Sequence, residues 1–190
     1  MQFAQPSRAS RPAAAVVGFG SRPSAVGGRA PVSTSTARQC FSTYWTGAML
    51  LIDVNVLVYA HREDAPEHRA YREWLENTIG SDHAYGMADL VLSGFLRIVT
   101  HRRVFTPPSS IDVALRFAHD VRDQPNRVSI APGPRHWDIF TRLCRAPGIR
   151  GNLIPDSYLA AMAIESGTEL ITTDGDYARF PGLRWRHPLR

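Results

Sequence analysis

The stretch that decides the fold is "AMLLIDVNVLVYAHRE", residues 48–63. Leu50, Leu51 and Ile52 form a short continuous apolar run of the kind found in a strand covered on both faces. The run meets Asp53, and Val54, Val56, Leu57, Val58 and Tyr59 resume the apolar pattern around Asn55. A lone carboxylate in such a segment is costly unless it is hydrogen-bonded, paired or holding a cation. A partner for Asp53 therefore has to come from elsewhere in the chain.

Beyond this segment, runs with strand character alternate with runs of helical period. "APEHRAYREWLENTIG" predicts a helix with Ala70, Trp74, Leu75 and Ile79 on one stripe and Gly80 at its stop. "AYGMAD" reads as a second strand and "LVLSGFLRIVTHRR" as a mostly buried helix. "SSIDVALRFAHDVRD" starts at a Ser cap, points Val113, Leu115, Phe117, Ala118 and Val121 inward, and ends before Pro125. "NRVSIAP" is a third strand. "GPRHWDIFTRLCRAPG" is a helix with Trp137, Phe140 and Leu143 or Cys144 inward. "IPDSYLAAMAIESG" is a small-residue helix ending at Gly167, "TELITTD" a fourth strand, and Leu183 to Arg186 a last one. The alternation predicts an α/β fold: a parallel sheet with helices on both faces.

Composition narrows the function. The chain has 190 residues, 44% of them apolar, enough for one ordinary domain with a real core. No apolar run reaches the roughly 18 to 20 residues of a membrane span. The two cysteines, Cys40 and Cys144, show no metal-type spacing, and a reduced, cytoplasmic protein is expected. All 22 basic residues are Arg, which excludes a phosphate loop that needs its Lys. The net charge of +5 suggests a nucleic-acid partner, but five Arg and no acid lie before Met49, leaving 17 Arg against 17 acids in the remainder. Any contact with a polyanion must then come from local Arg placement.

Residues 1–48 are rich in Ala, Pro, Ser, Gly and Arg and lack periodicity. They read as a disordered or spurious extension, either a transit-like segment or the product of a start assigned too far upstream, the second being preferred. Residues 49–190 are the expected domain. "VVGFGSRP" imitates a dinucleotide turn, but Pro23 stands where the third Gly belongs.

In an open parallel sheet, functional groups gather beyond the carboxyl ends of the strands. Asp53 ends the first strand, Asp174 ends "ELITT", and Asp176 follows across Gly175. Asp156 lies in the first turn of the helix that leads into that strand. Singly, each has an ordinary explanation: a helix cap for Asp53, the helix dipole for Asp156, turn chemistry for Asp174, a cap for Asp176. Together they argue for a cation. Two carboxylates about 4 Å apart repel by about 4 kcal/mol at an effective dielectric of about 20. Oxygen-only ligands favour Mg²⁺ or Mn²⁺, and phosphodiester hydrolysis is the reaction such sites serve.

"LLIDVNVLVYA", "LVLSGFLRIVT", "PGPRHWDIFTRLCRAPGIRGNLIPDSYLAAMAIESG" and "ELITTDGDYARFPGLRW" resemble, in that order, the PIN-domain ribonucleases of the VapC toxin type. The resemblance runs from about residue 49 to the C-terminus. It implies a PIN-like fold and a Mg²⁺-dependent endoribonuclease, the toxin of a toxin–antitoxin pair. It also implies a homodimer, silenced by a small VapB-type antitoxin whose tail enters the acidic groove. By motif match Asp53 and Asp156 are the principal metal ligands, Asp174 completes the site and Asp176 supports it. Asn55 orients Asp53 or the RNA substrate, and Thr173 is a polar neighbour of the metal water. Arg97, with Arg102 and Arg103 beyond it, is read either as an RNA-phosphate contact or as a solvated helix end. One departure stands out: many relatives carry a Glu where this chain has Gly94, with Asp89 the nearest acid in sequence. That leaves open a catalytically weak module that binds antitoxin or RNA, and a phosphatase of small molecules is a third reading.

Overall fold

The computed structural model describes residues 49–190; the reading of residues 1–48 lies outside them. β1 (Leu50–Ile52) runs into α1 (Val54–His61) with only Asp53 between. Next come α2 (His68–Ile79), β2 (Tyr85–Met87), α3 (Asp89–Val99), α4 (Ile111–Arg122) and β3 (Arg127–Ser129). Then follow α5 (His136–Cys144), α6 (Leu153–Ser166), β4 (Glu169–Ile171), a 3₁₀ turn over Gly175–Arg179 and β5 (Trp185–Arg186). The five strands form one sheet in the order β3-β2-β1-β4-β5. Every pairing is parallel.

This order positions the site. The chain steps from β1 to β2 to β3 in one direction, then crosses back to place β4 on the other side of β1. Because parallel crossovers are right-handed, reversing direction moves the connecting helices to the opposite face. α1 to α4 therefore cover one face, and α5 with α6 the other. The reversal falls between β1 and β4, so a crevice opens at the carboxyl ends of those two strands.

The core explains the strand assignments. Leu51, Ile52, Leu170 and Ile171 are fully buried, as expected of short central strands covered on both faces. α6 buries Leu159, Ala160, Ala161, Met162 and Ala163 in succession; its small side chains let it lie close to its neighbours. It ends at Gly167, whose φ of 70° suits a residue without a Cβ.

Three helix faces differ from the expected ones. In α2 the buried stripe is Tyr71, Leu75 and Ile79, an i, i+4, i+8 row, while Ala70 is exposed and Trp74 only half-buried. In α4 Ala114 faces inward with Phe117, Ala118 and Val121, and Val113 and Leu115 point outward. In α5 His136, Ile139 and Leu143 are buried, whereas Trp137 is 64% exposed. His136 takes the inner position because its ring finds a partner there: Nε2 lies 3.0 Å from the Tyr158 carbonyl, and the ring packs edge-on to Tyr158 at 4.2 Å. A Trp has only one N–H to place and a larger volume to fit.

Gly86, in β2, has no room for a side chain. A Cβ there would lie 2.8 Å from Ile130 Cγ1 and 3.0 Å from the Leu50 carbonyl of the adjoining strand. Gly86→Ala is expected to destabilise the domain by roughly 1–3 kcal/mol. Thermal unfolding of parent and variant checks this, and an unchanged or raised midpoint would contradict it.

Candidate active site

The site begins with a helix cap. Asp53 has extended backbone, and its Oδ1 accepts the Val54 N–H at 2.6 Å, so the carboxylate is the N-cap of α1. Its own N–H donates to the Ile171 carbonyl at 2.9 Å, which ties the end of β1 to the end of β4. The carboxylate is 3% exposed, so its second oxygen also needs a partner. That partner is Thr172, fully buried, whose Oγ1–H donates to Asp53 Oδ2 at 2.7 Å.

The Thr172 oxygen does more than donate. It accepts Asn55 Nδ2–H at 3.0 Å and the Asp174 backbone N–H at 3.1 Å. Asn55 Oδ1 in turn accepts the Thr173 N–H at 3.3 Å. One hydroxyl thus holds the Asp53 side chain and the Asp174 main chain in a fixed relation. Asp174 caps the 3₁₀ turn through Oδ1, which accepts the Asp176 N–H at 2.9 Å. Asp176 pairs with Arg179 at 2.9 Å on the exposed side of that turn.

Asp156 reaches the same rim from the first turn of α6. Asp156, Asp174 and Asp176 line one cleft of about 590 Å³, together with Tyr59, Arg150, Asn152, Leu153, Thr173 and Gly175. Asp53 lies beneath it, close enough to feel the charges of Asp156 and Asp174. Burial is the largest influence on Asp53 and pushes its pKa up to about 7, against the opposing hydrogen bonds from Thr172 and Val54. Burial also raises Asp156 to about 6, and the neighbouring charges of Asp174 and Asp176 add to the rise. Tyr177 is buried behind them. Its phenol pKa is pushed well above the ordinary value, first by burial and then by the three carboxylates around it, so it stays protonated.

The donor set is oxygen throughout, the chemistry that suits a hard divalent cation. Among the described residues no three His, Cys, Asp or Glu side chains form a ready-made ligand cluster. The acids line an open cleft, and an open site with room for water and phosphate is how Mg²⁺ is usually held.

With that geometry in view, comparison with known proteins decides the family. The family model described as "PIN domain" matches residues 50–183. The chain belongs to the PIN-domain family. Within it, the chain is 46% identical over 141 residues to "Ribonuclease VapC43" of Mycobacterium tuberculosis, covering 74% of this chain and 96% of that one. It is 41% identical over 140 residues to "Ribonuclease VapC25" of the same organism, covering 74% and 99%. Among solved structures, VapBC2 from Rickettsia felis bound to a promoter DNA fragment aligns with a TM-score of 0.53 at 17% identity, covering 73% of this chain and 98% of that one. This last likeness is one of fold.

This PIN domain brings most of the expected site residues together. Asp53, Asp156, Asp174 and Asp176 converge, Asn55 braces the network, and Thr173 lines the cleft. Arg97 is not among the cleft-lining residues. It sits in the exposed last turn of α3, eight residues or roughly 12 Å along a helix that begins at the rim and runs away from it. Arg102 and Arg103 lie farther still along the chain. Asp89 does not stand in for the missing Glu, because it faces solvent and pairs with Arg122 at 3.3 Å. Gly94 faces the start of α1. A side chain there would begin 3.5 Å from Val54 Cγ2, an ordinary contact, and Val54 adjoins Asp53.

The residue missed in the sequence is Thr172, passed over for its neighbour Thr173. Strand alternation does not single it out: Thr172 follows Leu170 and Thr173 follows Ile171 by two positions, and both of those residues are fully buried. Only the folded contacts with Asp53 and Asn55 do.

Asp53 makes the metal-free fold sensitive to pH. Its folded pKa of about 7 lies above the ordinary 3.8, so the folded state favours the protonated form. The associated stability is fully present below about pH 4 and is lost as pH rises through 7. The gap corresponds to about 4 kcal/mol at most. In chelator, the melting temperature of Asp53→Asn is expected to gain on that of the parent as pH is raised from about 4 to about 8. A difference that stays flat across that range would refute the assignment.

Proposed function

We propose that this PIN domain is a divalent-metal-dependent endoribonuclease and the toxin of a VapBC-type pair, with Asp53, Asp156 and Asp174 as its metal ligands. The observation that carries the reading is the meeting of these three acids, distant in sequence, at the crevice between β1 and β4, where burial and then mutual repulsion raise the pKa of Asp53 and Asp156. The relatives named ribonucleases VapC43 and VapC25 supply the substrate class, and the VapBC complexes among the structural neighbours supply the partner class.

Mg²⁺ is the proposed ion, with Mn²⁺ as its substitute. When bound, such an ion polarises phosphate oxygens and lowers the pKa of a coordinated water. The chain's own contribution is positional. Thr172, itself braced by Asn55, holds Asp53 against rotation, and Tyr177 is buried behind the acids. Thr173 and Asn152 offer neutral polar groups to the strand entering the cleft, and Asp176 supports the outer edge of the site. The proposed catalytic unit is residues 49–190, with residues 1–48 outside it. A homodimer, a small VapB-type antitoxin covering the cleft and a cytoplasmic location complete the proposal. Among the described residues no helix is long and apolar enough to cross a membrane.

Gly94 favours a second reading, a PIN-like module that binds RNA or antitoxin and cuts weakly, because a fourth carboxylate is missing where a side chain would fit. The two readings separate on cleavage. Asp53→Asn is expected to lower Mg²⁺-dependent RNA cleavage by about a hundredfold or more while keeping a cooperative unfolding transition. A variant that cuts as well as the parent would end the nuclease reading.

Gly94→Glu tests the departure directly. It is expected to fold, since a Cβ at position 94 meets only Val54 at an ordinary 3.5 Å, and to lower the Mg²⁺ concentration needed for half-maximal cleavage. If that concentration is unchanged, the missing acid is irrelevant to metal binding.

A further inference from the structure

We infer that Arg150 is a phosphate-binding residue of the cleft, taking an RNA phosphodiester beside the one that is cut. The inference rests on the nuclease reading and names a contact to its substrate.

Arg150 lines the same cleft as Asp156, Asp174 and Asp176. Its side chain is exposed and, among the described residues, forms no ion pair with any of those carboxylates. Nearby arginines behave differently: Arg179 pairs with Asp176 at 2.9 Å and Arg186 with Glu169 at 3.1 Å. Arg150 is thus a cation in the wall of an acidic cleft with its charge uncommitted.

Its main chain, by contrast, is fixed. The Arg150 carbonyl accepts the Leu153 N–H at 3.2 Å where α6 begins. Gly148 and Gly151 on either side have φ of 83° and 57°, a conformation that favours glycine. They turn the α5–α6 loop so that Arg150 meets the helix end carrying Asp156. The guanidinium is therefore tethered close to the proposed metal ligands and left free at its tip.

The electrostatics require such a group. A strand of RNA approaching this cleft meets carboxylates of its own sign, and the metal ligands cannot be neutralised without losing the metal. A guanidinium at the wall offers a forked pair of donors to a phosphate, a geometry in which Arg exceeds a point charge. With the body of the chain carrying equal numbers of Arg and acids, placement rather than net charge must attract the polyanion.

The alternative is that Arg150 only offsets carboxylate charge, and the two roles predict opposite things. Binding is measured by fluorescence anisotropy with a labelled single-stranded RNA of mixed sequence on the cleavage-impaired Asp53→Asn chain, with and without Arg150→Gln, across a series of KCl concentrations. Removing a phosphate contact should weaken binding about tenfold and lower the slope of log K against log salt by roughly 0.7. Arg150→Lys should keep the slope. In the otherwise unaltered chain, Arg150→Gln should raise KM for RNA with kcat little changed, and leave the Mg²⁺ concentration for half-maximal cleavage where it was. An unchanged salt slope, or Mg²⁺ binding tightened by the loss of the cation, would overturn the inference. Should the parent chain fail to cut RNA at all, the nuclease reading fails instead, and the anisotropy result still reports on Arg150.

Discussion

The hydrogen bond from Thr172 to the buried carboxylate of Asp53 is the constraint on which the site depends. It spans the two central strands, β1 and β4, and is 2.7 Å long. Without it, a carboxylate that is 3% exposed would keep the single partner its helix cap provides. Breaking a buried charged hydrogen bond while leaving the charge in place costs more than the bond was worth, because the orphaned group stays desolvated. The same Thr oxygen receives Asn55 and the main chain of Asp174, so the end of β1 and the end of β4 are fixed by one atom. That coupling makes a pair of strand ends into a site.

The topology supplies the opportunity. Strand order β3-β2-β1-β4-β5 places the reversal of direction beside β1, where the two flanking layers of helices part. Asp53 is the first residue beyond β1 and lies beneath that opening, and Asp174, three residues beyond the end of β4, lines it. α6 returns along the opposite face and delivers Asp156 at its first turn. Its Ala-rich interior, Ala160 to Ala163, lies where bulk would push the helix away from the sheet and Asp156 out of range. Packing far from the chemistry thereby sets the spacing of the acids.

Much of this was legible in the sequence for a simple reason: strand ends and helix starts are local signals. Leu50–Ile52 followed by Asp53, and Glu169–Ile171 followed by Asp174, announce a parallel sheet with acids on one rim. The phase of a strand is harder. Thr172 and Thr173 are chemically identical and each follows a fully buried residue by two positions, so only the folded contacts distinguish the hub from the cleft wall. Helix faces were misjudged where size was taken for burial. Trp137 points outward and the smaller His136 inward, where its ring nitrogen meets the Tyr158 carbonyl. For Arg97 the sequence leaves both an RNA-phosphate contact and a solvated helix end open, and its exposed position in the last turn of α3, outside the cleft lining, favours the helix end. Arg150 was invisible in the sequence: it sits in a loop whose path depends on two glycines with positive φ, and no periodicity reports that.

The site works against the stability of the fold that contains it. A buried Asp53 with its pKa near 7 and Asp156 near 6 means that, near neutral pH, the domain bears ionised groups it would rather protonate. A domain of this size has a net stability of only about 5–15 kcal/mol, so a penalty of a few kcal/mol is a large share. On the proposed metal reading, the same desolvation that raises the cost of the free carboxylates raises their attraction for a divalent cation. Gly94 fits this balance. On that reading each further acid in the cleft would strengthen cation binding but add another like charge to the site, and at Gly94 this chain adds none.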